Sequence, residues 1–190
     1  MFLFCDVDGV LIPFPAPDGT TPATHHAHNV VPAGYDEPVP IWLNPAHGAL
    51  LAELVTITGL QPVWCTSWRA DASRIIGHRL GLPPWPHVEL PRLPLTTSHP
   101  DGYLWKRDYV AAHANGQPLA WIDDDFARPA DHEWAHARTA AGFPTLLIQP
   151  DPRQGVQPEH ASHVRRWALT LETPHSAIHP LAGTPARQCA

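Results

Sequence analysis

The chain has 190 residues, of which 44% are hydrophobic, and it carries a formal net charge of −6. This length and composition suit one ordinary domain with a core of its own. The negative charge gives no general support for binding nucleic acid, whose phosphates normally require a basic surface.

No apolar run approaches the roughly 18–20 residues that a membrane span requires, so no membrane partner is expected. The start of the chain lacks the basic region of a secretory signal. Three cysteines are too few for a disulfide framework, which indicates a reducing compartment. We therefore expect a cytoplasmic protein, and nothing in the sequence indicates an obligate protein partner.

The first predicted element is a buried strand over Met1–Cys5, and two acidic residues follow it directly. Asp6 and Asp8 stand at its carboxyl end, and Gly9 comes next. Carboxylates beside a buried apolar run are costly unless a metal ion or a reaction uses them. This stretch is therefore the first candidate for a functional site.

Residues 13–40 are rich in proline, glycine and histidine and show no periodicity, which predicts a long loop or a short hairpin insert. Such a stretch inside a compact domain is more often functional than not. Its His25-His26-Ala27-His28 run could bind a transition metal, although a solvated stretch is the favoured interpretation.

Beyond the insert, predicted helices and strands alternate. The helices lie at 45–58 (with Asn44 as N-cap and Gly59 as stop), 71–80, 104–114, 131–141 and 158–171, and the strands at 61–66, 87–90, 117–122 and 144–149. Continuous apolar strands between helices predict a three-layer α/β sandwich, Rossmann-like, with a five-stranded, mostly parallel sheet. We expect a single domain over 1–172 and a disordered tail over 173–190.

Polar clusters follow three of these strands, at the sheet edge where α/β proteins bind ligands. The set Asp6-Val-Asp8-Gly9-Val10, Thr66 at a strand end, Lys106 before a helix and Leu119-Ala-Trp-Ile-Asp123-Asp124 resembles the four motifs of the haloacid dehalogenase (HAD) superfamily of phosphohydrolases. The resemblance covers roughly residues 1–150.

This resemblance implies a division of roles among the motif residues. Asp6 would be the nucleophile that forms an aspartyl-phosphate, and Asp8 the general acid and base. A magnesium ion would be held by Asp6, Asp124 and the main-chain carbonyl of Asp8, and Asp123 would bind it directly or through water. The phosphate would be bound by Thr66, Ser67, Lys106 and Gly9, with Thr66 and Lys106 also taking part in catalysis.

Several residues have other interpretations. Thr66 and Ser67 could cap the next helix, in competition with Asp71, and Arg107 could replace Lys106 as the functional cation. The third acid, Asp125, could cap the following segment. Trp68 could line the mouth of the site, and we expect Cys5 and Cys65 to be buried, unreactive thiols.

The spacing between the motifs leaves no room for a large cap domain, so an open, nearly capless site is expected, as in HAD domains associated with bacterial RNA repair. The predicted activity is a magnesium-dependent phosphomonoesterase acting on a nucleotide or nucleic-acid end, or on a small phosphorylated metabolite. Its partner is thus a phosphorylated small molecule or a nucleic-acid end, which a local patch of Arg69, Arg74, Arg92 and Arg107 could bind. The alternative is a HAD-fold binding or regulatory module without turnover.

Overall fold

A computed structural model describes residues 1–91, 99–126 and 128–172, with the backbone alone at Glu172. The strands are β1 (Phe2–Cys5), β2 (His26–Val30), β3 (Val39–Leu43), β4 (Gln61–Trp64), β5 (Leu119–Ile122) and β6 (Thr145–Ile148). The α-helices are α1 (Pro45–Thr58), α2 (Arg107–Ala114), α3 (Pro129–Ala140) and α4 (Pro158–Glu172). Arg92 and the tail predicted over 173–190 lie outside the described residues.

Four strands form a parallel sheet in the order β4-β1-β5-β6. Cys5 at the end of β1 stands opposite Trp64 of β4 and Ile122 of β5. One face of the sheet packs on α1 and α4, and the other on a core that includes Val110 of α2. Since side chains alternate between the faces of a strand, both faces are apolar and covered. This confirms the three-layer α/β architecture.

The sheet has four strands rather than the five predicted. The segment 87–90 contributes a single bridge, in which His87 pairs with Trp64. Trp64 N–H donates to the Pro86 carbonyl oxygen at 2.9 Å, and Val88 N–H donates to the Trp64 carbonyl oxygen at 2.8 Å. Pro86 and Pro91 flank the bridge and have no N–H to donate, which stops the ladder from extending.

Of the two possibilities for residues 13–40, the structure contains the hairpin. Strands β2 and β3 pair antiparallel, with His26 opposite Leu43 and Val30 opposite Val39. The buried side chains of Val30, Ile41 and Leu43 join the main core. The insert is therefore packed on the domain by its apolar face.

The expectation of a solvated histidine run is wrong for His25. Its side chain is buried, and its ring lies 5.3 Å from that of His47 on α1. His26 is exposed and His28 half-buried on β2. Within the described ranges, no three-residue metal-binding group includes these histidines.

The helix predicted at 71–80 is present in a modified form. Residues Ala72–Gly77 form a π-helical segment, and Arg69 just before it has a φ of +53°. The other helices begin and end within three residues of the predicted bounds, and the α1 caps are as predicted, with Asn44 accepting from Ala46 N–H at 3.0 Å. Among the helices of the described segments, none combines the length and apolarity needed to cross a membrane.

Candidate active site

The predicted polar residues meet at the carboxyl edge of the sheet because the strand pairing continues past the strand ends. Asp6 N–H donates to the Ile122 carbonyl oxygen at 2.9 Å, and Cys65 N–H donates to the Cys5 carbonyl oxygen at 2.8 Å. On the other side, Asp123 N–H donates to the Ile148 carbonyl oxygen at 3.1 Å. These bonds place Asp6 between the loops that begin at Thr66 and Asp123.

Lys106 lies between two of the predicted acids. Its Nζ donates to Asp6 Oδ2 and, at 2.8 Å, to Asp123 Oδ2. All three side chains are buried. Burial alone would lower the pKa of Lys106, but the Asp123 and Asp6 carboxylates raise it well above its ordinary value. The site therefore contains a permanent ammonium between two carboxyl groups.

Two further contacts fix the segment that carries Lys106. The buried Asp131 of α3 accepts from Leu104 N–H at 3.0 Å, which anchors the chain two residues earlier. Arg107, the alternative cation, faces elsewhere: its guanidinium carbon lies 3.2 Å from the centroid of the Tyr103 ring. Lys106, and not Arg107, contacts the acids. The Asp131 contact carried no recognisable signal in the sequence.

Asp6, Asp123 and Asp124 form the acidic centre of the site. Each offers one carboxylate oxygen within 4.8 Å of the others, and Asp123 Oδ1 also accepts from Asp125 N–H at 3.1 Å. Burial raises the pKa of Asp124 to about 7, with further contributions from Asp125 and Asp6. An all-oxygen donor set with mutually repelling acids fits Mg²⁺ chemically. The Asp8 side chain is not part of this group.

Gly9 has a packing role in addition to the phosphate binding predicted for it. Its φ is +68°, and a Cβ added there would overlap the carboxylate of Asp124. Only glycine combines this backbone with such a close approach. The glycine thus leaves the space that the Asp124 carboxylate occupies, and phosphate binding by Gly9 stays a prediction.

Asp8 points to a different partner from Asp6. The indole Nε1–H of Trp68 donates to both carboxylate oxygens, at 3.1 and 3.0 Å. Burial raises the pKa of Asp8 to about 6, helped by Asp6 and opposed by Trp68, Lys106 and Ser67. The sequence predicted Trp68 near the mouth of the site but did not predict this bond. The available signal was that an indole N–H beside a site usually needs a hydrogen-bond acceptor.

The loop after β4 carries Thr66 and Ser67. Thr66 is fully buried, and its Oγ1 accepts from Trp68 N–H at 3.4 Å. Asp71, the competing helix cap, makes no capping bond; its carboxylate accepts from Ala33 N–H at 2.5 Å and pairs with Arg74 at 2.7 Å. Thr66 therefore shapes the loop itself, and its phosphate contact stays a prediction.

The two cysteines beside the motifs are free and buried. Burial raises the pKa of both thiols, and the nearby Asp6 raises that of Cys5 further, so neither is a reactive thiolate. The structure agrees with the interpretation of Cys5 and Cys65 as inert core residues.

Three arginines of the predicted patch have local partners, and the patch itself stays a prediction. Arg69 pairs with Glu89 at 3.1 Å, Arg74 pairs with Asp71, and Arg107 stacks on Tyr103. Each of these cations has a local partner.

A parallel sheet with this acidic group and a lysine at its carboxyl edge defines a HAD-like α/β domain. The chain belongs to the family described as the HAD domain in Swiss Army Knife RNA repair proteins, whose sequence profile matches residues 2–161.

Two further comparisons accompany this assignment. A solved structure from Legionella pneumophila, described as a HAD superfamily (subfamily III A) hydrolase, is similar over 88% of this chain and 86% of that chain, with 16% identity and a TM-score of 0.42. No curated protein matches the chain.

Proposed function

We propose that the chain is a Mg²⁺-dependent phosphomonoesterase that forms an aspartyl-phosphate on Asp6. The observation that carries this proposal is that two neighbouring acids contact different partners. Asp6 contacts the buried ammonium of Lys106, whereas Asp8 contacts the neutral indole of Trp68. Two carboxyl groups in different environments can take different chemical roles.

Asp6 is the group suited to attack phosphorus. Its Oδ1 accepts from Val7 N–H at 2.7 Å and its Oδ2 from Lys106, so its orientation is fixed. In the first step, a carboxylate oxygen bonds to phosphorus while the bond to the leaving oxygen breaks. Lys106 neutralises charge on the transferring group, and Thr66 and Ser67 donate hydroxyl hydrogen bonds to it.

Asp8 is suited to move the proton. With a pKa raised to about 6, it is protonated in a useful fraction near neutral pH. The proton passes from the Asp8 carboxyl group to the leaving oxygen as that group departs. In the second step the Asp8 carboxylate takes a proton from a water molecule as the water oxygen bonds to phosphorus. The bond between phosphorus and the Asp6 oxygen breaks, which releases inorganic phosphate and restores both aspartates.

The carboxylates of Asp6, Asp123 and Asp124, with the carbonyl oxygen of Asp8, would hold the magnesium ion. When bound, Mg²⁺ neutralises the negative charge shared by the phosphate and the acids. The lack of a side chain at Gly9 leaves room for the Asp124 carboxylate in this position.

We infer that the substrate is a terminal phosphate on a nucleotide or nucleic-acid end, with a small phosphorylated metabolite as the second candidate. The family description, which refers to RNA repair, favours the nucleic-acid end. The net charge of −6 and the locally paired arginines favour recognition of a single terminal phosphate over a long stretch of backbone.

The proposal is tested by phosphate release from an aryl phosphate in the presence and absence of Mg²⁺, with Asp6→Asn as the matched variant. A panel of nucleotides, sugar phosphates and oligonucleotides phosphorylated at either end then identifies the substrate class. We expect magnesium-dependent turnover in the wild type that is lost in Asp6→Asn. If the wild type releases no more phosphate than the variant on every substrate, the chain is a binding module and the proposal is wrong.

A further inference from the structure

The Trp68 side chain makes a symmetrical contact with the proposed proton donor. Nε1 lies 3.1 Å from one Asp8 carboxylate oxygen and 3.0 Å from the other. One N–H shared between two oxygens lies near the bisector of the carboxyl group, so it fixes the direction in which that group faces. Each oxygen keeps a lone pair free for another partner.

Trp68 is in turn fixed through its main chain. Its N–H donates to Thr66 Oγ1 at 3.4 Å, and its carbonyl oxygen accepts from Asp71 N–H at 3.0 Å. The next residue, Arg69, has a φ of +53°, and its guanidinium bonds to Glu89 at 3.1 Å. A left-handed residue that is not glycine persists only where its surroundings hold it. The indole is therefore presented by a constrained turn.

The neutrality of this donor matters for Asp8. The Lys106 ammonium is occupied by Asp6 and Asp123. An indole N–H orients a carboxyl group without placing a full charge beside it.

We propose that Trp68 is a positioning residue that aims the Asp8 carboxyl group at the leaving-group oxygen of a phosphate ester attacked by Asp6. This inference rests on the proposed phosphomonoesterase activity. When the ester bond to phosphorus breaks, the proton bound to Asp8 moves to the departing oxygen. The Asp8 carboxylate that remains accepts the Trp68 N–H, and the new bond joins phosphorus to Asp6.

The test exploits the leaving group. Dinitrophenolate can depart without a proton, whereas an alkoxide leaving group requires one. The orientation of the proton donor should therefore affect the hydrolysis of alkyl phosphates much more than that of dinitrophenyl phosphate. The variant Trp68→Phe keeps an aromatic ring, although a smaller one, and deletes the N–H. Its kcat/KM, which reports events up to departure of the leaving group, is compared on dinitrophenyl phosphate and on the alkyl phosphate that the wild type hydrolyses best. The matched control is Trp167→Phe, on α4.

We expect kcat/KM for the alkyl phosphate to fall about 100-fold in Trp68→Phe. This fold-loss should be at least about ten times larger than the fold-loss measured on dinitrophenyl phosphate. Trp167→Phe should show no such difference between the substrates. Equal losses on both substrates would show that Trp68 serves packing alone and would overturn the positioning role while leaving the phosphatase proposal intact. Absence of turnover in the wild type would overturn both.

A spectroscopic measurement tests the contact without turnover. The chain has eight tryptophans, and the indole N–H signal that disappears in Trp68→Phe identifies Trp68 in the spectrum of ¹⁵N-labelled protein. In Asp8→Ala this signal should move upfield and exchange faster with solvent, because its acceptor is gone. An unchanged signal in a folded Asp8→Ala protein would overturn the inference.

Discussion

Replacing Lys106 by methionine tests the electrostatic account of the site independently of catalysis. Methionine has a similar length, so the variant removes the ammonium while leaving little space unfilled. Asp6 and Lys106 are each 5% exposed and Asp123 is fully buried. Removal of one partner from a buried ion pair costs about 3–5 kcal/mol, because the remaining charges lose their compensation.

Proton uptake limits this loss. Burial already raises the pKa of Asp123, so without Lys106 this carboxyl group can take up a proton in place of the lost cation. Each pKa unit crossed is worth about 1.4 kcal/mol. We therefore expect the free energy of unfolding to fall by about 3 kcal/mol near neutral pH, at the lower end of the range for buried pairs.

Urea unfolding followed by tryptophan fluorescence measures the change, with and without Mg²⁺. A cation that binds only the folded state stabilises it, and the acids freed in Lys106→Met should gain more from it than those of the wild type. The exposed Arg166 on α4 supplies the control, since Arg166→Met removes a cation far from these acids in the sequence and outside the core. If Lys106→Met equals the control in stability and in response to Mg²⁺, the two acids do not depend on Lys106, and the account is wrong.

Three further outcomes follow from the structure. Gly9→Ala should weaken Mg²⁺ binding, measured by calorimetry, at least tenfold, because its Cβ displaces the Asp124 carboxylate; unchanged affinity would exclude Asp124 as a ligand. Burial lowers the pKa of His47 to about 4, so the unfolded chain takes up a proton at this residue before the folded chain does as the pH falls. The contribution of neutral His47 to the free energy of unfolding should be fully present above about pH 6.5 and should fall by up to about 3 kcal/mol towards pH 4. Urea midpoints across this range check it, and the slope should shrink in His47→Gln; an equal slope would assign the effect to other groups. Arg69→Gly and Arg69→Ala both lose the ion pair with Glu89, but only glycine adopts the positive φ of this position without strain. The glycine variant should therefore be more stable than the alanine variant by about 1 kcal/mol in the same assay. An alanine variant that is the more stable of the two would show that the backbone at this position is not strained.

The sequence predicted the acidic edge because strand ends align in a parallel sheet, whatever lies between them. Asp6 and Asp123 end neighbouring strands, and their contact follows from that rule. The choice of Lys106 over its neighbour Arg107 came from the resemblance to a family. The residues alone could not decide between them, because the decision depends on the directions of two side chains at the start of a helix, which no residue pattern encodes.

The remaining differences have local physical causes. The fifth strand shrank to one bridge because prolines removed its donors on both sides of His87. His25 is buried because the hairpin folds back on α1, a long-range contact that local composition does not reveal. The bond from Trp68 to Asp8 depends on the turn at Arg69, whose left-handed φ is atypical of arginine and invisible to pattern analysis.

The anchoring of the hairpin has a consequence for its motion. To swing outward, the hairpin of β2 and β3 must break the bond from Ala33 N–H to Asp71 and expose Val30, Ile41 and Leu43. Exposing one such side chain costs about 1.5–3 kcal/mol, so the three together cost roughly 5–9 kcal/mol. Each 1.4 kcal/mol is about a tenfold change in population, which leaves the swung-out form below about one molecule in a thousand. We therefore expect the hairpin to stay packed on the domain core in nearly every molecule.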